Sequence, residues 1–297
     1  MTTLQERAQA VIRACPEWYH SIELAPGIVT PGRSPLEAWT RELENLQLPD
    51  LRGKSALDIG AYDGFFSFAA ERLGAARVIA LDHYVWFTDM AEYMNDWRAS
   101  RQTGAAIVAP HESRHWRPSE LPGRRPFDAA RAFLASRVEP VVGDFMTMDL
   151  RALGRFDVVL FLGVLYHLEE PLRAMRRLAQ LVAPGGLVVI ETEAMQVDGL
   201  TAPFCEFFPG RELNNDPSNW WVPNAPALVG LCQAAGFQKI NLLTLPPRVP
   251  ARALGARLKS ALAHLIFETH IPQRLGVPRA PAPLARMHYR AIAHAQL

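Results

Sequence analysis

The sequence predicts an α/β fold built on a doubly wound, mostly parallel sheet. Three observations carry that prediction. Residues 55–68 read SALDIGAYDGFFSF: a short apolar strand ending in Asp58, a tight turn with Gly60 and Gly64, and the start of an apolar helix. Two further short runs with strand character lead into acids, residues 77–81 before Asp82 and residues 138–142 before Gly143 and Asp144. Residues 156–162, FDVVLFL, are almost wholly apolar, as a strand buried on both faces should be. Strands alternating with helices argue for a parallel sheet covered on both faces, with right-handed connections. Ligands of such sheets bind in the crevice outside the carboxyl ends of the strands. Asp58, Asp82, Asp144 and Tyr166 all fall at that edge.

A chain of 297 residues, 49% hydrophobic and 21% charged, can bury a sizeable core. Its formal net charge of +1 lacks the global basic excess of a dedicated nucleic-acid binder, although a local patch stays open. Cys15, Cys205 and Cys232 are far apart and form no CxxC, which argues against a disulfide scaffold or a structural zinc site. No window approaches the ~18 uninterrupted apolar residues of a membrane span. The N-terminus lacks the apolar core of a secretory signal. The expectation is a cytoplasmic protein with no metal and no membrane contact; its oligomeric state is left open.

Taken in order, residues 3–14 carry Leu4, Ala8, Val11 and Ile12 on one helical face. An irregular stretch with Trp18, Tyr19 and His20 follows, and its aromatics either cover a ligand or fill core surface. A second helix is predicted from Pro35 to about Leu46, with Ser34 as N-cap and Pro35 at its first position. Residues 1–50 therefore read as a helical arm, and 51–297 as the main domain. The acid after the second strand, Asp82, stands at the distance from the first loop at which such folds place a carboxylate on ribose hydroxyls. Residues 84–124 read as a lid-like insertion with a short helix near 88–101; His111 and His115 within it are expected to be surface histidines rather than metal ligands. A helix near 126–135 leads to the third strand. Asp144 after it can accept from an adenine amino group, and Phe145 can stack on the ring. The fourth strand enters Gly163-Val-Leu-Tyr166-His167, then a helix over 170–182, a sharp turn at Pro184-Gly185-Gly186, and a strand over 187–190. A helix over 226–235 and strands over 237–245 and 287–295 complete seven strands. Residues 247–286 are a Pro- and Arg-rich insertion, with a basic amphipathic helix near 254–266.

Together these motifs resemble the class I S-adenosylmethionine-dependent methyltransferases. LDIGAYDG is similar to that family's first motif, Asp82 to its second-strand acid, GDF to its third motif and FDVVLFLGVLYHL to its fourth. The resemblance implies a Rossmann-like sheet of seven strands, the last antiparallel. It implies a cofactor site formed by Asp58, Gly60, Tyr62, Gly64, Asp82, His83, Asp144, Phe145, Leu162, Gly163, Tyr166 and Arg290. Tyr62 departs from the usual glycine. Within the family, GVLYHLEEPL, the Glu-Thr after the fifth strand and NWWVPNAPALVGLCQAAGF resemble the enzymes that modify wobble uridine of tRNA with carboxy-S-adenosylmethionine. Those enzymes hold the extra carboxylate with an arm lysine, whose approximate counterpart here is Glu17. A glutamate would repel that carboxylate, so ordinary S-adenosylmethionine is favoured, with the carboxylated form as the alternative.

The aromatic loop after the fifth strand can wall a substrate pocket. Tyr19, Glu193, Asn219, Trp220, Trp221 and Asn224 are its candidate substrate contacts. A sulfonium methyl is already activated, so positioning supplies much of the rate, and a base is needed only for a nucleophile that starts protonated. Tyr166 is the candidate for a role beside the methyl, His167 for a base, and His20 a weaker one. Three functions follow: methyl transfer to a small molecule, favoured; a tRNA wobble-uridine enzyme; and a non-catalytic cofactor-binding module.

Overall fold

The computed structural model describes residues 2–15, 17–247 and 286–297. The predicted amphipathic helix near 254–266, and all but the ends of the 247–286 insertion, lie outside the described residues. The main sheet has seven strands in the order β10-β11-β7-β6-β3-β4-β5. These are β3 (Ser55–Ile59), β4 (Arg77–Asp82), β5 (Glu139–Val142), β6 (Phe156–Leu162), β7 (Val182–Val197), β10 (Lys239–Leu242) and β11 (Arg286–Gln296). Pairing is parallel from β7 through β6, β3 and β4 to β5. β11 is antiparallel to both of its neighbours.

Residue alternation sorts the strands' apolar side chains into two layers, because successive Cβ atoms point to opposite faces. Ala56, Val78, Ala80, Val158 and Leu160 meet Ala8 of α1 (Leu4–Ala14), Trp39 of α2 (Leu36–Asn45), Phe65, Phe66 and Phe68 of α3 (Phe65–Arg72), and Phe127. Leu57, Ile79, Leu81, Val159 and Phe161 meet Met175 and Leu178 of α7 (Pro171–Leu181) and Leu228 and Cys232 of α8 (Ala225–Ala234). The sheet is thus doubly wound.

The arm is fixed by local signals and by contacts with the loop after β3. α1 begins with a capping box, Thr3 with Glu6. A hairpin, β1 (Glu23–Ala25) with β2 (Ile28–Val29), occupies the stretch read as irregular. α2 corrects the predicted start: Pro35 is itself the cap, extended at ψ 153°, and no side chain caps the helix. The Ser34 carbonyl instead accepts from Ser21 Oγ at 2.6 Å, which ties the helix entry to the arm.

The 84–124 segment is more helical than expected. It holds α4 (Tyr84–Phe87) and α5 (Met90–Thr103), the latter capped by Asp89, and leads into α6 (Arg125–Phe133). His115 is not a surface residue: it is buried, with Nε2 2.8 Å from Asp96 Oδ2. Pro184-Gly185-Gly186 also differs from its prediction. Phe156 pairs with Val182 and Val158 with Leu187, so this tripeptide bulges out of one long strand rather than preceding it. β7 then continues to Val197 because β11 pairs antiparallel along it from Val188 to Val197. A short hairpin, β8 (Cys205–Phe207) with β9 (Trp221–Pro223), lies within the aromatic loop. Among the described residues no helix is long and apolar enough to cross a membrane.

Candidate active site

The loop after β3 is held from below by the neighbouring strand and from the side by Asp82. Gly60 N donates to the Leu81 carbonyl at 2.8 Å, and a Cβ on Gly60 would come 2.6 Å from Val164. Tyr62 stands in the left-handed region at φ 53°. Its amide donates to Asp82 Oδ2 at 2.9 Å, and Trp86 Nε1 donates to its carbonyl at 2.7 Å. Val85 N reaches the other Asp82 oxygen at 3.2 Å. A bulky residue in this conformation is costly; the two bonds to Tyr62 itself hold it there, and Val85 N in turn fixes Asp82. Gly64 starts α3 at φ 88°, where a Cβ would meet the rings of Phe68 and Phe127.

Asp58 and Asp82 are both buried, and desolvation pushes each carboxyl up to about 6. Asp58 accepts from Ser67 Oγ at 2.6 Å, which places it under the loop, against α3. A carboxyl raised from its ordinary 3.8 favours folding below that value and loses the contribution as pH rises through about 6. Asp58→Asn keeps an acceptor for Ser67 and removes the buried charge. Thermal unfolding should show the variant more stable by up to about 2–3 kcal/mol above pH 6, with the gain vanishing near pH 4. Equal stability at pH 7.5 would refute the buried charge.

The arm closes over this loop. Tyr19 stacks on Tyr62, with ring centroids 4.6 Å apart. Asp63, fully buried, accepts from the Tyr19 and His20 amides at 2.9 and 2.8 Å and pairs with His20 Nδ1. The His20 ring stacks on Phe65 and meets Trp39 edge-on. His20, read as a weak catalytic candidate, is therefore the pin that fastens the arm to the loop. Glu17 lies at the surface side of this contact, 3.8 Å from Arg98.

At the far end of the crevice, β7, β11 and the 3-10 turn Leu165–His167 after β6 bring four polar side chains together. Arg290 pairs with both oxygens of Glu191, with Glu193 at 3.2 Å and with Tyr166 Oη at 3.3 Å. Its guanidinium carbon lies 5.1 Å from the centre of the Tyr166 ring. Burial raises the Glu191 carboxyl, an effect that Arg290 opposes; burial raises the Tyr166 phenol likewise. Gly163, at φ 69°, faces this group: a Cβ there would lie 3.4 Å from Tyr166 Oη and 3.5 Å from Arg290 Nη2. Glu42 of α2 is close enough to Arg290 for the guanidinium to pull its burial-raised carboxyl back down.

His167 lies on the 3-10 turn after β6. Its Nδ1 is 2.9 Å from the Ser218 carbonyl and 3.0 Å from Ser218 Oγ. Trp220 N donates to the Tyr166 carbonyl at 2.8 Å, and Trp221 Nε1 to the Glu169 carbonyl at 3.2 Å, so this loop is laced to the 3-10 turn. Asn214 Nδ2 donates to Glu193 at 3.0 Å.

Two expectations are corrected here. Asn224 is the N-cap of α8: its buried side chain accepts from Ala227 N and Phe204 N and donates to the Ala202 carbonyl, so it holds the helix start and the preceding loop rather than facing a substrate. The Phe145 ring is buried in the layer that packs on α7 and α8, 5.6 Å from the Phe161 ring, rather than open to a stacking ligand. Asp144 turns both oxygens to its own loop, accepting from Met146 N and Thr147 Oγ1. His83 lies half-buried beside Phe87 and Trp116, and burial lowers its titration. Leu162 packs, half-buried, against the layer that meets α1, α2 and α3. Asn219 is buried and donates to the Leu213 carbonyl at 3.1 Å. Asp63, Glu191, Glu42, Asp216 and Ser218 were not foreseen as site residues. Among the described residues no three His, Cys, Asp or Glu side chains are placed to hold a metal.

The family described as "Methyltransferase domain" matches residues 33–242. The chain belongs to this family and is a class I S-adenosylmethionine-dependent methyltransferase. It is 25% identical over 207 residues to a tRNA U34 carboxymethyltransferase of Desulfotalea psychrophila, covering 68% of this chain and 51% of that one. It is 26% identical over 206 residues to the protein of the same name from Idiomarina loihiensis, covering 69% and 51%. The chain thus spans about half the length of these curated relatives. The solved N-terminal domain of EvdMO1, determined in the presence of SAH and D-fucose, shares the fold: TM-score 0.50 and 20% identity, over 82% of this chain and 90% of that one.

Proposed function

We propose that the enzyme transfers a methyl group from ordinary S-adenosylmethionine to a small-molecule acceptor. One observation carries the reading. The cation best placed for an extra cofactor carboxylate, Arg290, is already paired with Glu191 and Glu193, and Glu42 lies nearby. A carboxylated donor would bring another negative charge to an acidic group, whereas a sulfonium is favoured there. Glu17, where the carboxylate-holding enzymes have a lysine, points the same way.

The residues fit the donor. Gly60 and Gly163 keep Cβ atoms off the crevice floor, and Asp82 offers a carboxylate already oriented by two amides. In this reading Asp82 accepts the ribose hydroxyls, the loop from Gly60 to Gly64 lies against the methionine part, and Tyr166 borders the methyl. Tyr62 holds Tyr19 over the entrance. When bound, S-adenosylmethionine supplies an electrophilic sulfonium methyl. The protein's share is to orient the acceptor and keep water out. The same reading divides the chain into an arm, 1–50, that covers the entrance, and a methyltransferase domain, 51–297, with insertions at 84–124 and 247–286.

Mass spectrometry of the nucleoside that co-purifies with the full chain tests the donor. S-adenosylmethionine or its demethylated product is expected, and a carboxylated species would overturn the choice. Calorimetry with S-adenosylhomocysteine should give saturable binding. The names of the curated relatives support a second reading, transfer to wobble uridine of tRNA. A methyl-transfer assay with radiolabelled donor against total tRNA and against a panel of hydroxyl-bearing metabolites separates the two. Label in tRNA alone would replace the first reading by the second.

A further inference from the structure

The loop that carries Trp220 and Trp221 also brings Asp216 and Ser218 against His167. Ser218 Oγ donates its single proton to Asp216 Oδ1 at 2.6 Å, and Ser218 N donates to the same oxygen at 2.9 Å. The hydroxyl therefore faces His167 with a lone pair. The Ser218 carbonyl, which can only accept, faces the same ring nitrogen. Two acceptors converge on Nδ1, so Nδ1 carries the proton and Nε2 carries the lone pair, because one ring nitrogen's partner sets the tautomer of the other.

We propose that Asp216 and Ser218 position His167 as the general base of this enzyme, for an acceptor that starts with its proton, such as an alcohol or phenol. The proposal rests on the methyl-transfer reading above. In the step it describes, the acceptor's proton passes to His167 Nε2 while the acceptor oxygen's electron pair forms the bond to the methyl carbon. The carbon–sulfur bond breaks with its pair kept by sulfur, which turns the sulfonium into a neutral thioether. The imidazolium then returns the proton to solvent.

The surroundings suit a base. Burial holds the imidazole below its ordinary titration, so it is neutral at pH 7, while Asp216 pulls the other way and keeps it basic. The other charged groups that bear on the ring are Arg290 from β11, which lowers its titration, and Glu193 from β7, which raises it. Tyr166 lies beside the ring, with centroids 4.3 Å apart. His167 thus adjoins the side chains at the methyl end of the crevice and is oriented from behind by a different loop. Asp216 and Ser218 act only through His167; they are positioning residues.

The test is nitrogen-15 NMR of the full chain labelled at histidine, with the His167 signals assigned from a His167→Gln sample. The expected result is a neutral ring with the proton on Nδ1 at pH 7. Asp216→Asn should lower the titration midpoint by on the order of half a pH unit or more. Ser218→Ala should move it in the same direction. Once an acceptor is found, the acid limb of its pH–rate profile should shift with the same sign. A proton on Nε2, a charged ring at pH 7, or a midpoint unmoved in Asp216→Asn would each overturn the proposal. The wild-type tautomer needs no variant, so an unstable substitution leaves the test intact. S-adenosylhomocysteine affinity measured on the same samples reports on the donor reading separately. Its absence in wild type would remove methyl transfer while leaving the tautomer result to stand.

Discussion

Asp82→Ala should lower the affinity for S-adenosylhomocysteine about 100-fold and destabilise the ligand-free protein as well. Two effects add. Hydrogen bonds to a charged group are worth about 1.5 kcal/mol or more each, so losing both ribose hydroxyls removes about 3 kcal/mol, close to 100-fold. The same carboxylate also accepts from Tyr62 N and Val85 N. Its removal leaves two part-buried amides without that partner, at a cost toward the lower end of the about 1–3 kcal/mol that an unsatisfied buried group carries. Part of that loss is returned, because the wild-type carboxyl is itself raised to about 6 by burial. Tyr62 then loses one of the bonds that keep it at positive φ. Calorimetric titration gives the first effect and denaturant unfolding the second. Unchanged affinity would refute the ribose role, whatever the stability does. Asp82→Asn is a useful companion: it keeps the volume but opposes its NH₂ to one of the two amides, so it should fall between wild type and Ala.

What the sequence revealed and what it hid divide along the distance of the interactions. The strands β3, β4 and β6 are readable from their apolar runs, since burial on both faces leaves little room for other residue types. Asp82 is readable from its spacing to the first loop. A strand ending at Ile190 is what the sequence suggests, because three polar residues, Glu191, Thr192 and Glu193, close its apolar run; the partner that extends β7 to Val197, β11, lies far along the chain. Tyr62 was an open question for the same reason: what stabilises its turn is the Trp86 indole, from the following insertion. His20 had the chemistry of a base, and only its pairing with Asp63, 43 residues on, shows it to be an anchor. Asn224 is the opposite case. Asn-Ala-Pro ahead of an apolar helical run is a legible N-cap signal, and reading the side chain as a substrate contact passed over it. The Asp216–Ser218 turn is local and readable, but its contact with His167 spans 51 residues and is not.

Arg290→Met carries the other large expected effect, and its size depends on pH. Glu191 is 3% exposed and has both oxygens on the guanidinium. Breaking a fully buried pair by removing one partner costs about 3–5 kcal/mol; because Arg290 itself is 41% exposed, about 2–3 kcal/mol is the expected loss at neutral pH. The sign of the pH dependence follows from Glu191. Burial raises its carboxyl and Arg290 lowers it, so in the variant the folded-state value climbs further above the unfolded one. Protonation then favours the folded variant, and the difference from wild type should shrink as pH falls from 8 to 5. Replacing Glu191 by Gln in the same chain removes the uncompensated charge. The double variant should therefore be more stable than Arg290→Met alone at pH 8 and indistinguishable from it near pH 4. A loss that is the same at every pH, and that Glu191→Gln does not relieve, would show that Arg290 acts by packing on Tyr166 and not as the counter-charge of Glu191. The donor reading would then lose its main support, because a guanidinium not committed to Glu191 would be free to hold an additional cofactor carboxylate.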